Sequence, residues 1–532
     1  MKRLLTAALA AAVSLGGLAS AQTPEIDIPY ESFELENGLT VVVHEDRKAP
    51  IVAVSIWYGV GSADEPAGRT GFAHLFEHLM FNGSENYNDD YFGPFEQVGA
   101  TGMNGTTWFD RTNYFQTVPT PALEMALWME SDRMTHLLGA IDQERLDEQR
   151  GVVQNEKRQG DNQPYGMVEY SQLRALFPEG HPYAHSTIGS MEDLDAASLE
   201  DVQDWFRQYY GASNAVLVLA GDIDAEEARP LVQRYFGDAP VGPPVTRMDQ
   251  WIPERERDTT ETMYDDVPQA RIYRTWVVPG RITEERAQLE LFATVLGGGR
   301  TSRLYRDFVF DRQVATRAVA YVEEHQLASQ FHIEVTLNPG EDPEAASARI
   351  DEIVAELLAE GPTDDELAAA RTRINASTIR GLEQIGGFGG KAVTLAEGQL
   401  YAGDPAFWRT LLDRLNTASA EAITATANEW LSTGYHEITV LPFGEFQSVA
   451  TDADRSALPS VTETPELVWP AVETAELSNG MDIVFVRRDA VPVVEMQMVF
   501  DAGYAADSVE GGQTGLASFT MNMLDEGAGR MD

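Results

Sequence analysis

The sequence predicts an α+β protein built from two similar α/β-sandwich domains, each an antiparallel-rich sheet with helices packed on it, plus the start of a third. Three observations carry this. β-Branched runs of strand length alternate with stretches of helical period in the same order twice, over residues 22–244 and 245–450. Several strand-like runs come as pairs joined by short turns. Near the C-terminus the opening of the chain returns: residues 477–485 match 35–43, and Pro492 matches Pro50, at a common offset of 442.

Taken in order, residues 39–43 follow the turn pair Asn37-Gly38, and residues 51–58 follow Pro50; both are β-branched and read as strands. A helix starts near Thr70, and a second spans about 91–98. The glycine-rich run 99–105 leads into strand-like 106–109 and 113–118, with Asp110-Arg111 at the turn. Pro121 marks a helix start before 123–138, and one long helical pattern covers 142–176. Ser198 with Asp201 makes a capping-box start for a helix through Tyr209. A buried strand, 214–220, precedes a short helix over 225–236 and a Pro/Gly linker.

From Thr259 the order repeats. A strand over 270–278 leads to a helix ending in Gly297-Gly298-Gly299, then a helix through Leu304, paired strands at 316–322 and 330–337, several helices to Leu431, and a strand at 437–441. The triple glycine lacks the Gly-Lys-Ser/Thr ending of a phosphate loop and reads as a tight turn between packed helices.

A second linker, 451–470, separates this body from the repeat of the chain's opening, 471–532. With two inserted residues, Thr514-Gly515-Leu516-Ala517 aligns with Thr70-Gly71-Phe72-Ala73. A stub of two strands and one helix cannot bury its apolar face. The expectation is a chain truncated within its second half, with the missing C-terminal half encoded in cis.

Composition bounds the function. The 532 residues carry a formal charge of −47, which disfavours nucleic acid and anionic membranes as partners. There is no cysteine, so disulfides and thiolate metal sites are excluded. Residues 1–21 read as a signal peptide: Lys2-Arg3, an apolar run too short for a bilayer span, then Ala19-Ser20-Ala21 before Gln22. The mature protein is expected to be exported, periplasmic or extracellular, with no membrane span after signal cleavage.

The chemistry sits in Gly71-Phe72-Ala73-His74-Leu75-Phe76-Glu77-His78-Leu79-Met80. On a helix His74 and His78 leave one face a turn apart and can hold one metal ion. Glu77 can then reach a water on that metal without being a ligand. This H-x-x-E-H order is the inverted zinc-peptidase signature. Its bland reading is two half-buried histidines on a packing helix. In the repeat, His74, Glu77 and His78 become Ser518, Met521 and Asn522, so the second copy lacks the motif.

A catalytic zinc usually takes three protein ligands. The third candidate is Glu156, in a helical segment with Val152 and Val153 on the inner side and Gln149 projecting from nearly the same face. With His74, Glu77, His78 and Glu156 at that spacing, the chain resembles the pitrilysin/insulinase family of zinc peptidases. The stretch from Asn104 to Asp110-Arg111-Thr112-Asn113-Tyr114 also fits, as do His181-Pro182-Tyr183 with Gly189-Ser190, the triple-glycine turn and the degenerate second half. That family usually carries a glutamate where Gln149 stands. The resemblance implies one Zn²⁺ per chain held by His74, His78 and Glu156, Glu77 as general base, and Gln149 behind the ligands. It also implies a clamshell half of two domains, and an edge segment Met103-Asn104-Gly105-Thr106 that takes a peptide or unfolded-protein substrate as an added strand. The alternative is a non-catalytic member of the same fold acting as a binding or assembly subunit. His181 and His185, four apart beside Pro182, read as loop residues rather than a second metal site.

Overall fold

The computed structural model describes residues 27–444, 469–487, 494–508 and 513–524. The expected signal peptide and most of the second linker lie outside them. The chain divides at residue 445 into two compact units.

In the first unit, β1 (Glu31–Glu34), β2 (Thr40–Glu45) and β3 (Ile51–Tyr58) precede α1 (Phe72–Leu79) and α2 (Phe92–Gln97). The hairpin β4 (Thr101–Thr107) and β5 (Thr112–Pro119) is followed by α3 (Leu123–Thr135), α4 (Gln143–Asp161) and α5 (Val168–Leu176). Then come α6 (Met191–Ala196), α7 (Leu199–Tyr209), β6 (Ala215–Gly221) and α8 (Ala225–Phe236).

The second round has β7 (Thr259–Asp265), β8 (Arg271–Val278), α9 (Glu284–Gly297), β9 (Ala315–Glu323) and β10 (Ser329–Leu337). Helices α10 (Pro343–Glu360), α11 (Asp364–Gly381), α12 (Lys391–Ala402), α13 (Phe407–Thr417) and α14 (Ala420–Leu431) lead to β11 (His436–Pro442).

The two sheets share one plan. Their orders are β1-β2-β6-β3-β5-β4 and β7-β11-β8-β10-β9. In each, the last strand inserts beside the first of the shared set, parallel to it (β6 on β2, β11 on β7), and every other pairing is antiparallel. Both sheets are covered on both faces. In the first, the central strands β3 and β6 are accordingly almost continuously apolar, whereas β8 and β10 of the second alternate apolar residues with buried polar ones such as Thr275, Gln330 and His332. In β2, Val41 and Val43 point into the core shared with α1, α3 and α8, while Val42 joins Ala53, Trp57 and Val218 on the opposite face.

That opposite face is covered by a helix from the other round: Ala392, Leu395 and Ala396 of α12. The exchange is mutual. Helix α5 lies on the second sheet, where Val168 meets Tyr273, Ile438 and Val440, and Gln172 donates to the Thr275 hydroxyl at 2.9 Å. Each buried Leu or Trp of such a layer typically contributes about 1.5–3 kcal/mol.

Four expectations need correction. The helical pattern over 142–176 is two helices. Pro164 removes a backbone donor, and Tyr165 (φ +66°) turns into the second sheet, its amide donating to Asp265 and its hydroxyl to the Gln269 carbonyl. β4 begins at Thr101, in the glycine-rich run ahead of the strand expected at 106–109, because pairing with β5 overrides weak strand propensity. The polar edge strand β7 gave no hydrophobic run to see. The helix after the triple glycine continues past Leu304 as a π-helical stretch, Tyr305–Asp311.

The second unit repeats the opening in detail. β12 (Val472–Glu476) pairs antiparallel with β13 (Asp482–Val486), and α15 is Leu516–Asn522. The turn bonds Leu35 N–H to Leu39 O and Gly38 N–H to Leu35 O recur as Leu477 N–H to Met481 O and Gly480 N–H to Leu477 O. Val484, Phe485 and Phe519 are exposed.

Candidate metal centre

Helix α1 opens at Gly71, whose φ of +86° suits glycine, and its first turn is held from three sides. The buried Glu65 carboxylate accepts the Gly71 and Ala73 amides at 2.9 and 2.7 Å. Asp193 accepts the Thr70 amide and hydroxyl, and the Thr70 oxygen accepts the Ser190 amide. Gly189 lies against the Thr70–Gly71 peptide. The His181–Ser190 segment therefore seats the start of this helix. His181 itself is spent structurally: Nε2 meets the Trp251 carbonyl at 3.0 Å and Nδ1 accepts the Tyr183 amide at 3.0 Å.

Helical spacing places His74 and His78 on the face of α1 that meets α4, with Phe76 and Leu79 in the core behind. Val153 fixes α4 by burial, whereas Val152, expected inward, is exposed. The Nε2 atoms of His74 and His78 are 3.3 Å apart, and Glu156 Oε2 lies 3.7 and 3.5 Å from them. Among the described residues this is the one group of three His, Asp or Glu side chains close enough to share an ion.

The donor set fits zinc. Tetrahedral ligands about 2.0–2.1 Å from a zinc ion stand roughly 3.3–3.4 Å from one another. Burial, with the neighbouring His78, pushes His74 down to about 4; burial also lowers His78, against the pull of Glu156 and Gln149. Two imidazoles that burial favours in the neutral form thus bring Nε2 to one point beside a carboxylate, an arrangement that a dication satisfies. Gln149 donates from Nε2 to Asn82 Oδ1 at 2.8 Å and neighbours His78.

Glu77 is buried on the same helix. Burial pushes it up to about 7, opposed by a hydrogen bond from Thr107 and the charge of Arg111. The Thr107 hydroxyl donates to Glu77 Oε2 at 2.6 Å. A carboxyl titrating near neutrality, one turn from His74 and next to His78, can accept and return a proton.

β4, which carries Thr107, is the free edge of the first sheet. The amide of Trp108 donates to the Arg111 carbonyl, so the alternation of antiparallel pairing turns the backbone groups of Gly105 and Thr107 outward. Asn104 Oδ1 accepts the outward Gly105 amide at 2.9 Å, and Arg111 braces Thr106 by donating to its carbonyl and hydroxyl. The four edge residues Met103, Asn104, Gly105 and Thr106 thus line a strand with open pairing positions beside Glu77. Thr107 and Glu65 escaped sequence reading. Strand alternation from Gly105 puts Thr107 on the α1 face, but only the observed register turns that into a contact.

Comparison with known proteins follows the same line. The family model described as Insulinase (Peptidase family M16) matches residues 40–189, and that described as Peptidase M16 inactive domain matches 196–374. The chain is 27% identical to the zinc protease PqqE of Helicobacter pylori over 72% of this chain and 86% of that one. It is 26% identical to an uncharacterized zinc protease of Mycobacterium leprae over 77% and 91%. Among solved structures, a protease from Helicobacter pylori superposes with a TM-score of 0.71 at 24% identity, covering 78% of this chain and 99% of that one. The periplasmic protease PqqL of Escherichia coli gives 0.65 at 17% identity, covering 88% of this chain and 56% of that one.

Proposed function

The chain belongs to the pitrilysin/insulinase family of peptidases, and on that premise we propose that it is a zinc-dependent endopeptidase acting on peptides or small unfolded proteins. The observation that carries this reading is the convergence of His74 Nε2, His78 Nε2 and Glu156 Oε2 within 3.7 Å of one another, with Glu77 on the same helix. His74, His78 and Glu156 would hold one zinc ion, which when bound polarises a carbonyl and acidifies a water.

The chain's own residues do the rest. An extended substrate pairs with the outward backbone of β4 at Gly105, displacing the Asn104 side chain from that amide. Strand addition of this kind supplies affinity with little sequence preference. Glu77 removes the water proton as the oxygen attacks the peptide carbon, then passes it to the leaving amine as the C–N bond breaks. Gln149 steadies His78 through its amide. The signal-like residues 1–21, and the periplasmic relative, support export.

The test is zinc content and peptide cleavage measured side by side on the protein and on Glu77→Gln. One zinc per chain in both, with cleavage in the wild type alone, supports the reading. Zinc without cleavage of any unfolded peptide moves the assignment to a non-catalytic binding subunit. Absence of bound metal overturns the centre itself.

A further inference from the structure

Glu77 has a second oxygen, and the fold settles which of the two is free. Thr107 Oγ1 donates to Oε2 at 2.6 Å, within a region that buries both side chains. The hydroxyl has one proton, and the Thr112 hydroxyl beside it does not compete for the carboxylate: Thr112 Oγ1 donates to the Val60 carbonyl at 2.9 Å. Thr107 is also the residue at which β4 leaves the edge, its own amide and carbonyl facing outward.

We propose that Thr107 is a positioning residue for Glu77: it occupies Oε2, turns Oε1 toward the metal-side water, and ties the carboxylate's orientation to the strand that receives substrate. This rests on Glu77 acting as the base. The physical reason is entropic and electrostatic together. A glutamate has three side-chain torsions, and a buried carboxylate without its donor settles on whichever polar neighbour it can reach. A short hydroxyl bond removes that choice before substrate arrives, and it leaves the opposite oxygen's lone pairs for the proton.

The experiment compares wild type, Thr107→Val and Thr107→Ser on the full chain, reading kcat and KM separately, zinc content, thermal midpoint and a crystal structure of each. Valine keeps the shape and deletes the hydroxyl; serine keeps the hydroxyl. The expected result is a kcat lowered roughly 10- to 100-fold in Thr107→Val, the scale of one hydrogen bond to a charged group. KM and zinc content stay at wild-type values and the Glu77 carboxylate leaves its rotamer. Thr107→Ser recovers most of kcat and the rotamer. A wild-type kcat in Thr107→Val overturns the proposal, as does a serine variant as slow as valine, which would make the residue a matter of packing. Loss of zinc in Thr107→Val also overturns it. Should Glu77→Gln cleave as fast as wild type, it is the general-base reading that fails, and the rotamer comparison still reports whether Thr107 holds the carboxylate.

Discussion

Glu65 and Asp507 make the same two bonds at equivalent places in the repeat. Glu65 accepts the amides of Gly71 and Ala73; Asp507 accepts those of Gly515 and Ala517, at 2.8 and 2.9 Å. Each helix opens on a left-handed glycine, with φ of +86° at Gly71 and +88° at Gly515. The second copy has Ser518, Met521 and Asn522 where the first has His74, Glu77 and His78. A carboxylate retained where those three side chains are gone serves the helix start, not the chemistry. Burial raises Glu65 well above the usual carboxylate range, against the pull of those amides, so its place is structural at some electrostatic cost. Glu65→Ala should lower stability by about 2 kcal/mol or more through two orphaned amides, measured by urea unfolding. The molecules that still fold should bind one zinc at saturation. An unchanged midpoint would contradict this.

Three candidate ligand atoms on two helices would make a bound zinc a cross-link between α1 and α4. Zinc at 100 times its dissociation constant should stabilise the fold by about 2.7 kcal/mol. His74→Ala and Glu156→Ala should each abolish the zinc-dependent rise in thermal midpoint, while Gln149→Ala should weaken zinc affinity about 10-fold. Differential scanning calorimetry with and without chelator separates the cases. A zinc-dependent rise that survives Glu156→Ala would remove Glu156 from the centre.

What was legible in the sequence was whatever local spacing encodes. His74, Glu77 and His78 declare themselves because a helix places i and i+4 together. Glu156 needed the family spacing, since nothing local marks one acid on a charged helix, and Val152 misled because periodicity there is weak. The repeat was visible as Asn37-Gly38 and Asn479-Gly480. The edge strand was half hidden: Gly102 and Gly105 depress strand propensity, and only pairing with β5 restores it. The exchange of α5 and α12 between sheets could not be read, because it depends on which apolar face remains uncovered after each sheet has formed.

The exchange is pinned by an ion pair that predicts a pH dependence. Lys391 of α12 donates to Asp46, just after β2, at 2.6 Å. Burial alone would raise Asp46, but Lys391 and then Lys48 outweigh it and hold it down at about 2, below its reference of 3.8. A depressed carboxylate contributes stability above its unfolded pKa and loses it as pH falls through the folded one. The contribution, about 1 kcal/mol after solvent screening, should therefore be complete above about pH 5, fall through pH 4 to 2 and vanish near pH 1. Denaturant unfolding of wild type and Asp46→Asn should show a gap that closes over that window. A gap constant with pH would mean that the pair does not act through charge.

Gly189 packs against the start of the helix that carries His74 and His78, although it is far from them in sequence. A Cβ there would stand 2.2 Å from the Gly71 nitrogen and 2.3 Å from the Thr70 carbonyl carbon and oxygen, all backbone, at a φ of +71°. Backbone cannot swing aside as a side chain can, so Gly189→Ala must push the first turn of α1 away from its seat. Gly180 provides the control: its φ is +87°, but nothing lies within 4 Å of an added Cβ. Gly180→Ala should cost about 1 kcal/mol, the left-handed strain alone. Gly189→Ala carries that strain and an overpacking term, together about 3 kcal/mol or more. Because His74 stands on the first turn that moves, zinc affinity should fall in Gly189→Ala and stay unchanged in Gly180→Ala. Urea unfolding and zinc titration of the two variants check both statements. Equal stability in the pair would show that the His181–Ser190 segment yields to α1 rather than holding it.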